Sequence, residues 1–251
     1  MTTSDPAHYE SAFTVRTADV DLHGRIQAVI FLDYLLDAAG AHAAALGLSV
    51  HDMVRQGLTW VLSRFHVRIL RYPRFGEPVA IRTWPTAQHQ VFALRDFEAS
   101  DAAGPIAAAT SSWLVLDLKS RRPIRFFERL PAYPSDPRRA IADGFEALPG
   151  PSREDATREF PVFSTDIDFN RHVTSSVYVH RALETVPREI LFGFRPEEIE
   201  VNYRAEAFYG DGIRSVAESV GGADAPRFLH RLTRAADGRE LALLRTGWKA
   251  I

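Results

Sequence analysis

One module is written twice in this chain. Residues 19–35, DVDLHGRIQAVIFLDYL, lie over 166–182, DIDFNRHVTSSVYVHRA, at a shift of 147. Further on, FHVRILRYPRFGEPV from Phe65 lies over IEVNYRAEAFYGDGI from Ile199 at a shift of 134, which sets Phe75-Gly76-Glu77 on Tyr209-Gly210-Asp211. Near the end of each half, Trp113 falls on Trp248 and Arg95 on Arg231, at shifts of 135 and 136. Four blocks in one order imply duplication. Between the halves, residues 130–157 hold Pro131, Pro134, Pro137, Pro149 and Pro151 among polar residues, the composition of a linker on an extended or irregular path.

Each half reads as a helix followed by strands. From Ala28 to Leu46 the strongly polar residues are Asp33, Asp37 and His42, so the pattern predicts a helix that is apolar nearly all round and almost engulfed. The first half then has room for a short second helix in LSVHDMVRQGLTW. Val61, Phe65, Val67 and Ile69 alternate with Arg64, His66 and Arg68, which predicts a strand with one buried face. Further strands are expected at Val79–Trp84, Val91–Ala99 and Ala107–Leu116, and in the second half near Glu198–Glu206, Gly212–Val220, Arg227–Thr233 and Glu240–Lys249. A buried helix and an antiparallel meander, made twice, suggest a helix wrapped by a curved sheet, two such units behaving like a fused dimer.

Composition narrows the chemistry. Net charge is −2, which argues against a general nucleic-acid binder. The chain has no cysteine, so disulfides, zinc–thiolate sites, iron–sulfur clusters and thiol nucleophiles are all excluded. Met1 to Glu10 is polar and no run approaches a membrane span, so the expected location is cytoplasmic, with no membrane span. Gly-x-Ser-x-Gly, Ser-x-x-Lys, His-Glu-x-x-His and the Gly-x-x-x-x-Gly-Lys phosphate loop are all missing. A hydrolase built from this chain would act by acid–base chemistry on water or through a carboxylate.

The candidate site is Asp166-Ile-Asp168-Phe-Asn170-Arg-His172-Val173, where polar residues recur at every second position; an extended segment would put them on one side. The plain alternative is that Asp168 or Asn170 caps the following helix and His172 is an ordinary surface residue. A calcium loop fails, because Arg171 stands where glycine is required and Val177 where the bidentate glutamate belongs, so no metal is expected. At the places of Asp168, Asn170, His172 and Glu206 the first half has Asp21, His23, Arg25 and Tyr72. Capping would not require that difference. One equipped copy and one emptied copy fit a single active site.

Asp-Phe-Asn-Arg-His-Val at 168–173 with Tyr178, Val201-Asn-Tyr-Arg-Ala-Glu206, Leu58-Thr-Trp-Val-Leu-Ser-Arg64, Arg71-Tyr-Pro-Arg-Phe-Gly76 and Ser112-Trp113 together resemble the acyl–acyl carrier protein thioesterases of plants and bacteria. The similarity runs from about Phe13 to Trp248. The resemblance implies an α+β fold of two tandem hotdog modules: residues 1–129 with a degenerate site and the acyl-chain pocket, the linker 130–157, and a catalytic module 158–251. It implies catalysis by Asp168, Asn170, His172 and Glu206, no cofactor, and an acyl carrier protein bearing a fatty acyl chain as partner. The family often has a cysteine after the glutamate; here that position is Ala207, and the two asparagines that usually follow the histidine–valine pair are replaced by Thr174, Ser175 and Ser176.

Within that resemblance, the backbone N–H of Val173 at the helix start is expected to bind the oxyanion. Glu206, or a Glu206–His172 pair, would activate water; Asn170 would orient water or substrate, and Asp168 would fix Asn170 or the nearby backbone. His172 could instead protonate the leaving thiolate or bind the carbonyl. Leu35, Ala38 and Trp60 are candidates to line an acyl tunnel, and Arg64, Arg68, Arg71, Arg74, Arg121, Arg122 and Arg125 to meet an acidic carrier. A coenzyme A thioesterase and a non-catalytic acyl-binding hotdog remain the alternatives. A homodimer, like acyl length, stays open.

Overall fold

The computed structural model describes residues 6–89, 91–125, 129–130 and 132–251; Pro131 of the expected linker lies outside them. The chain divides into two compact units, Met1–Gly144 and Phe145–Ile251. In the first, β1 (Tyr9–Thr14), β2 (Leu58–Ile69), β3 (Pro78–His89), β4 (Phe92–Asp101) and β5 (Gly104–Asp117) run antiparallel in the order β1-β3-β4-β5-β2. In the second, β6 (Ala156–Pro161), β7 (Phe194–Tyr203), β8 (Gly212–Ser219), β9 (Arg227–Arg234) and β10 (Glu240–Ala250) repeat that order as β6-β8-β9-β10-β7. The strands β1 and β6 were not expected from the sequence. Both are short, with one face exposed, and their residues give little hydrophobic signal.

The helix α1 (Ala28–Ala45) packs on β1 and β3 and buries Phe31, Leu32, Leu35, Ala38 and Ala39. It is less engulfed than its composition suggests, with Asp37 and Gly40 exposed. By length and mean hydropathy it could cross a membrane, contrary to the sequence expectation; nearly half of it is buried inside the N-terminal unit, as in a core helix. It ends at Gly47, whose φ of +69° lets Leu48 N–H return to Ala43 O at 2.8 Å. The short helix α2 (Val50–Arg55) follows, capped by Ser49. In the second unit α3 (Ser175–Leu183) is only nine residues long, because Pro187 cannot continue it and instead precedes α4 (Arg188–Gly193).

The duplication extends to individual hydrogen bonds. Tyr34 donates to Asp19 at 2.5 Å, and its counterpart Arg181 donates to Asp166 at 2.9 Å. The indole N–H of Trp113 meets Ser111 at 2.8 Å, and that of Trp248 meets Thr246 at 2.9 Å. Those tryptophans set β5 over β10, and one alignment from the sequence then fails. Arg95 faces Ser111, whose counterpart Thr246 faces Phe228; Arg231 faces Leu243, so it stands in the place of Glu98. Each hairpin has a one-residue bulge at the matching place, but the second closes through a loop two residues longer, and that defeats a search at constant spacing.

The proline-bearing stretch has no regular structure over most of its length, but it is bound to its units rather than loose. Trp84 donates to Arg138 O at 2.8 Å beneath the Arg138 guanidinium, which sits 4.2 Å above the ring. The buried Asp96 carboxylate accepts from Ala140 N at 2.9 Å, from Arg139 at 3.0 Å and from Thr86. His66, expected on a wet face, is buried against Asp143 at 2.6 Å. The stretch also ends earlier than expected, since β6 begins at Ala156.

Candidate active site

The segment 166–173 is a closed turn, not an extended strand. Asp168 N–H donates to His172 O at 3.0 Å, Arg171 N–H to Asp168 O at 3.0 Å, and Arg171 takes φ +68°. The first unit builds the same turn: Asp21 N–H to Arg25 O at 2.7 Å, Gly24 N–H to Asp21 O at 3.0 Å, and Gly24 at φ +68°. A non-glycine residue in the left-handed region costs of order 1–3 kcal/mol, so surrounding bonds must hold Arg171 there. The Asp168 carboxylate supplies two of them, accepting from Asn170 N–H at 2.8 Å and His172 N–H at 3.4 Å. Neither Asp168 nor Asn170 caps α3; its N-cap is Thr174.

This turn brings three of the predicted side chains together, and a fourth arrives from beyond β7. Glu206 follows the end of that strand by three residues, in the connection to β8. The His172 imidazole lies between two carboxylates, Nδ1 3.6 Å from Asp168 Oδ1 and Nε2 3.7 Å from Glu206 Oε1. Both distances allow ionic attraction but exceed a hydrogen bond. All three side chains are a quarter to a third exposed, so water has access. The Asn170 amide donates through Nδ2 to Asp168 Oδ2 at 3.3 Å; that nitrogen has a second hydrogen to offer.

The expected oxyanion donor is not available. Val173 N–H is spent on Ala207 O at 2.9 Å, and Thr174 N–H on Asp166 O at 2.9 Å. Because the chain pairs at Val173 before the helix begins, the first free helical amides lie beyond it.

The tunnel candidates are separated. Leu35 and Ala38 are almost wholly buried on α1. Trp60 is half-buried, donates to Leu48 O at 2.9 Å and packs edge-on against Trp113 beside Met53, Leu58, Ala93 and Val115; that cluster contains neither Leu35 nor Ala38.

Two residues at the site carried no role in the sequence reading. The Tyr178 hydroxyl accepts Ala207 N–H at 2.9 Å, and burial pushes that phenol up to about 12. Arg234, at the end of β9, donates to Glu206 O at 2.9 Å. Tyr178 was visible as part of a motif; Arg234 became comparable between halves only once the strand register was known.

The chain matches the model of the acyl-ACP thioesterase N-terminal domain over residues 6–132 and that of the acyl-ACP thioesterase C-terminal domain over residues 150–250. An oleoyl-acyl carrier protein thioesterase, chloroplastic, of Coriandrum sativum is 26% identical across 98% of this chain and 78% of its own length. A putative oleoyl thioesterase from Lactobacillus plantarum superposes with a TM-score of 0.86 at 25% identity, covering 99% of this chain and 98% of that one. The 12:0-ACP thioesterase from Umbellularia californica shares the fold, with a TM-score of 0.87 at 23% identity over 98% of this chain and 95% of its own.

Proposed function

The chain belongs to the acyl-ACP thioesterase family, and from that premise we propose that it hydrolyses fatty acyl–acyl carrier protein by attack of water at a site in its C-terminal hotdog module. One observation supports the placement above all others. The same turn is built twice, yet only the second copy sets an imidazole between two carboxylates. In the first copy Arg25 occupies the histidine position and donates to Tyr72 O at 2.7 Å.

A water sitting beside the pair, within hydrogen-bond reach of both His172 Nε2 and Glu206 Oε1, would have two acceptors, the two atoms themselves being 3.7 Å apart, too long for a direct bond. The Glu206–His172 pair takes the water proton as the oxygen attacks the thioester carbonyl. The second Nδ2 hydrogen of Asn170 meets the developing oxyanion, with Asp168 fixing the amide's orientation. When the tetrahedral intermediate collapses, the carbon–sulfur bond breaks and the proton held by the pair passes to the leaving thiolate. Products are a fatty acid and the free carrier thiol. The N-terminal module, with no carboxylate at Tyr72, is assigned to the acyl chain, and Leu35, Ala38 and Trp60 keep that role as part of the proposal.

Hydrolysis of a panel of carrier-protein and coenzyme A thioesters of graded chain length tests the reading. Carrier thioesters should give the highest kcat/KM, and Glu206→Gln should reduce turnover of the best substrate at least ~100-fold. A folded Glu206→Gln protein with full turnover would refute the site.

A further inference from the structure

We propose that Arg234 is a positioning residue that holds the backbone under Glu206 and thereby allows position 172 to be a histidine; this rests on the site proposed above. The Arg234 guanidinium donates from Nη2 to Glu206 O at 2.9 Å and from Nη1 to Asp237 Oδ2 at 3.0 Å, and its Nε lies 3.2 Å from Asp211 Oδ2, an ion pair without hydrogen-bond geometry. Asp211 in turn accepts Phe208 N–H at 2.9 Å. One cation therefore spans the connection that carries the candidate base, from Glu206 to Asp211. On the other side of the same peptide group, Ala207 N–H is held by Tyr178.

The first unit shows what this arrangement replaces. Its equivalent carbonyl, Tyr72 O, receives a guanidinium from Arg25, at the position of His172. Its equivalent carboxylate, Glu77, accepts Arg74 N–H at 2.9 Å and pairs with Arg71, at the position of Ala205, at 3.5 Å. The position of Arg234 itself is Asp101: Asp101 pairs with Gly104 across its hairpin, and Arg234 N–H bonds Arg239 O across the matching one. Two arginines near the turn in one unit are thus replaced in the other by a single arginine on β9. The carbonyl keeps a cationic donor, while the position beside Glu206 is released for an imidazole.

Steady-state kinetics on the full chain, with the best carrier thioester from the panel, decide this. Arg234→Met should lower kcat about 100-fold, the scale of a small misplacement of a reacting group, with KM within about threefold. Arg234→Lys, which keeps a cation able to reach the carbonyl, should recover about tenfold of that loss. Arg25→Met removes the matching bond in the first unit and should cost thermal stability without lowering kcat. Should Arg234→Met fail to fold, Asp211→Asn with Asp237→Asn removes both carboxylates that hold the cation and should still lower kcat about fivefold at constant KM. An unchanged kcat in a folded Arg234→Met, or in the Asp211→Asn, Asp237→Asn double variant, with Glu206→Gln inactive, would overturn the positioning role and leave the site standing. An active Glu206→Gln would remove the site itself.

Discussion

Val173 donates its backbone N–H to Ala207 O at 2.9 Å, joining the residue after His172 to the residue after Glu206. The first unit makes the same bond from Ile26 to Pro73 O at 2.9 Å. The link belongs to the module rather than to the chemistry, and it sets how far apart the imidazole and the second carboxylate stand.

Tyr178→Phe probes the partner of that link. It leaves Ala207 N–H buried without an acceptor, which should cost about 1–3 kcal/mol of stability. Turnover should fall with it, since Ala207 adjoins Glu206. Urea unfolding alongside kcat reads both effects; a stability equal to the parent's would show that the hydroxyl does not support the segment.

The duplicated turns predict unequal consequences for matched changes. Asn170→Ala and His172→Ala should each lower kcat at least ~100-fold. His23→Ala, at the exposed tip of the first turn, should leave it within about threefold, as expected for a surface change. Equal losses in the two units would contradict a single site.

Two buried histidines predict an acid limb in stability. Burial, reinforced by the Arg95 guanidinium 3.0 Å away, lowers the His42 imidazole to about 4, and burial lowers that of His230 to about 3. Both folded values lie below that of an unfolded histidine, so the unfolded chain binds more protons between them. Stability is therefore complete above about pH 6.5 and falls as pH drops toward 4 and then 3, by up to roughly 3 kcal/mol for His42 and roughly 5 kcal/mol for His230. Urea midpoints measured from pH 7.5 to 4.5 should decline, and His42→Gln should flatten the slope. A midpoint constant over that range would count against both assignments.

Without cysteine, iodoacetamide should not inactivate the enzyme by thiol alkylation. In heavy-oxygen water a single turnover should place label in the fatty acid and none in the protein. Label found in the Glu206 side chain would mean that the carboxylate attacks and forms an anhydride, not that water attacks directly.

The sequence alone determined that the protein is a duplicated α+β module and that its two copies, sharing an aspartate, differ at three chemically telling positions. Both are legible because helix and strand periods repeat with the backbone, and because Asp168, Asn170, His172 and Glu206 can be laid over Asp21, His23, Arg25 and Tyr72 without knowing any distance. Tertiary structure decided the rest. A turn with Arg171 at positive φ, not a strand face, gathers the polar side chains. Val173 N–H is unavailable because Ala207 is a neighbour in space, and Trp84, Asp96 and His66 bind a stretch whose prolines read as a free linker. Arg234 lies 28 residues from the carbonyl it holds. Such pairings depend on strand register, and where a hairpin closes, after two loop residues in one unit and four in the other, is set by pairing rather than by residue type.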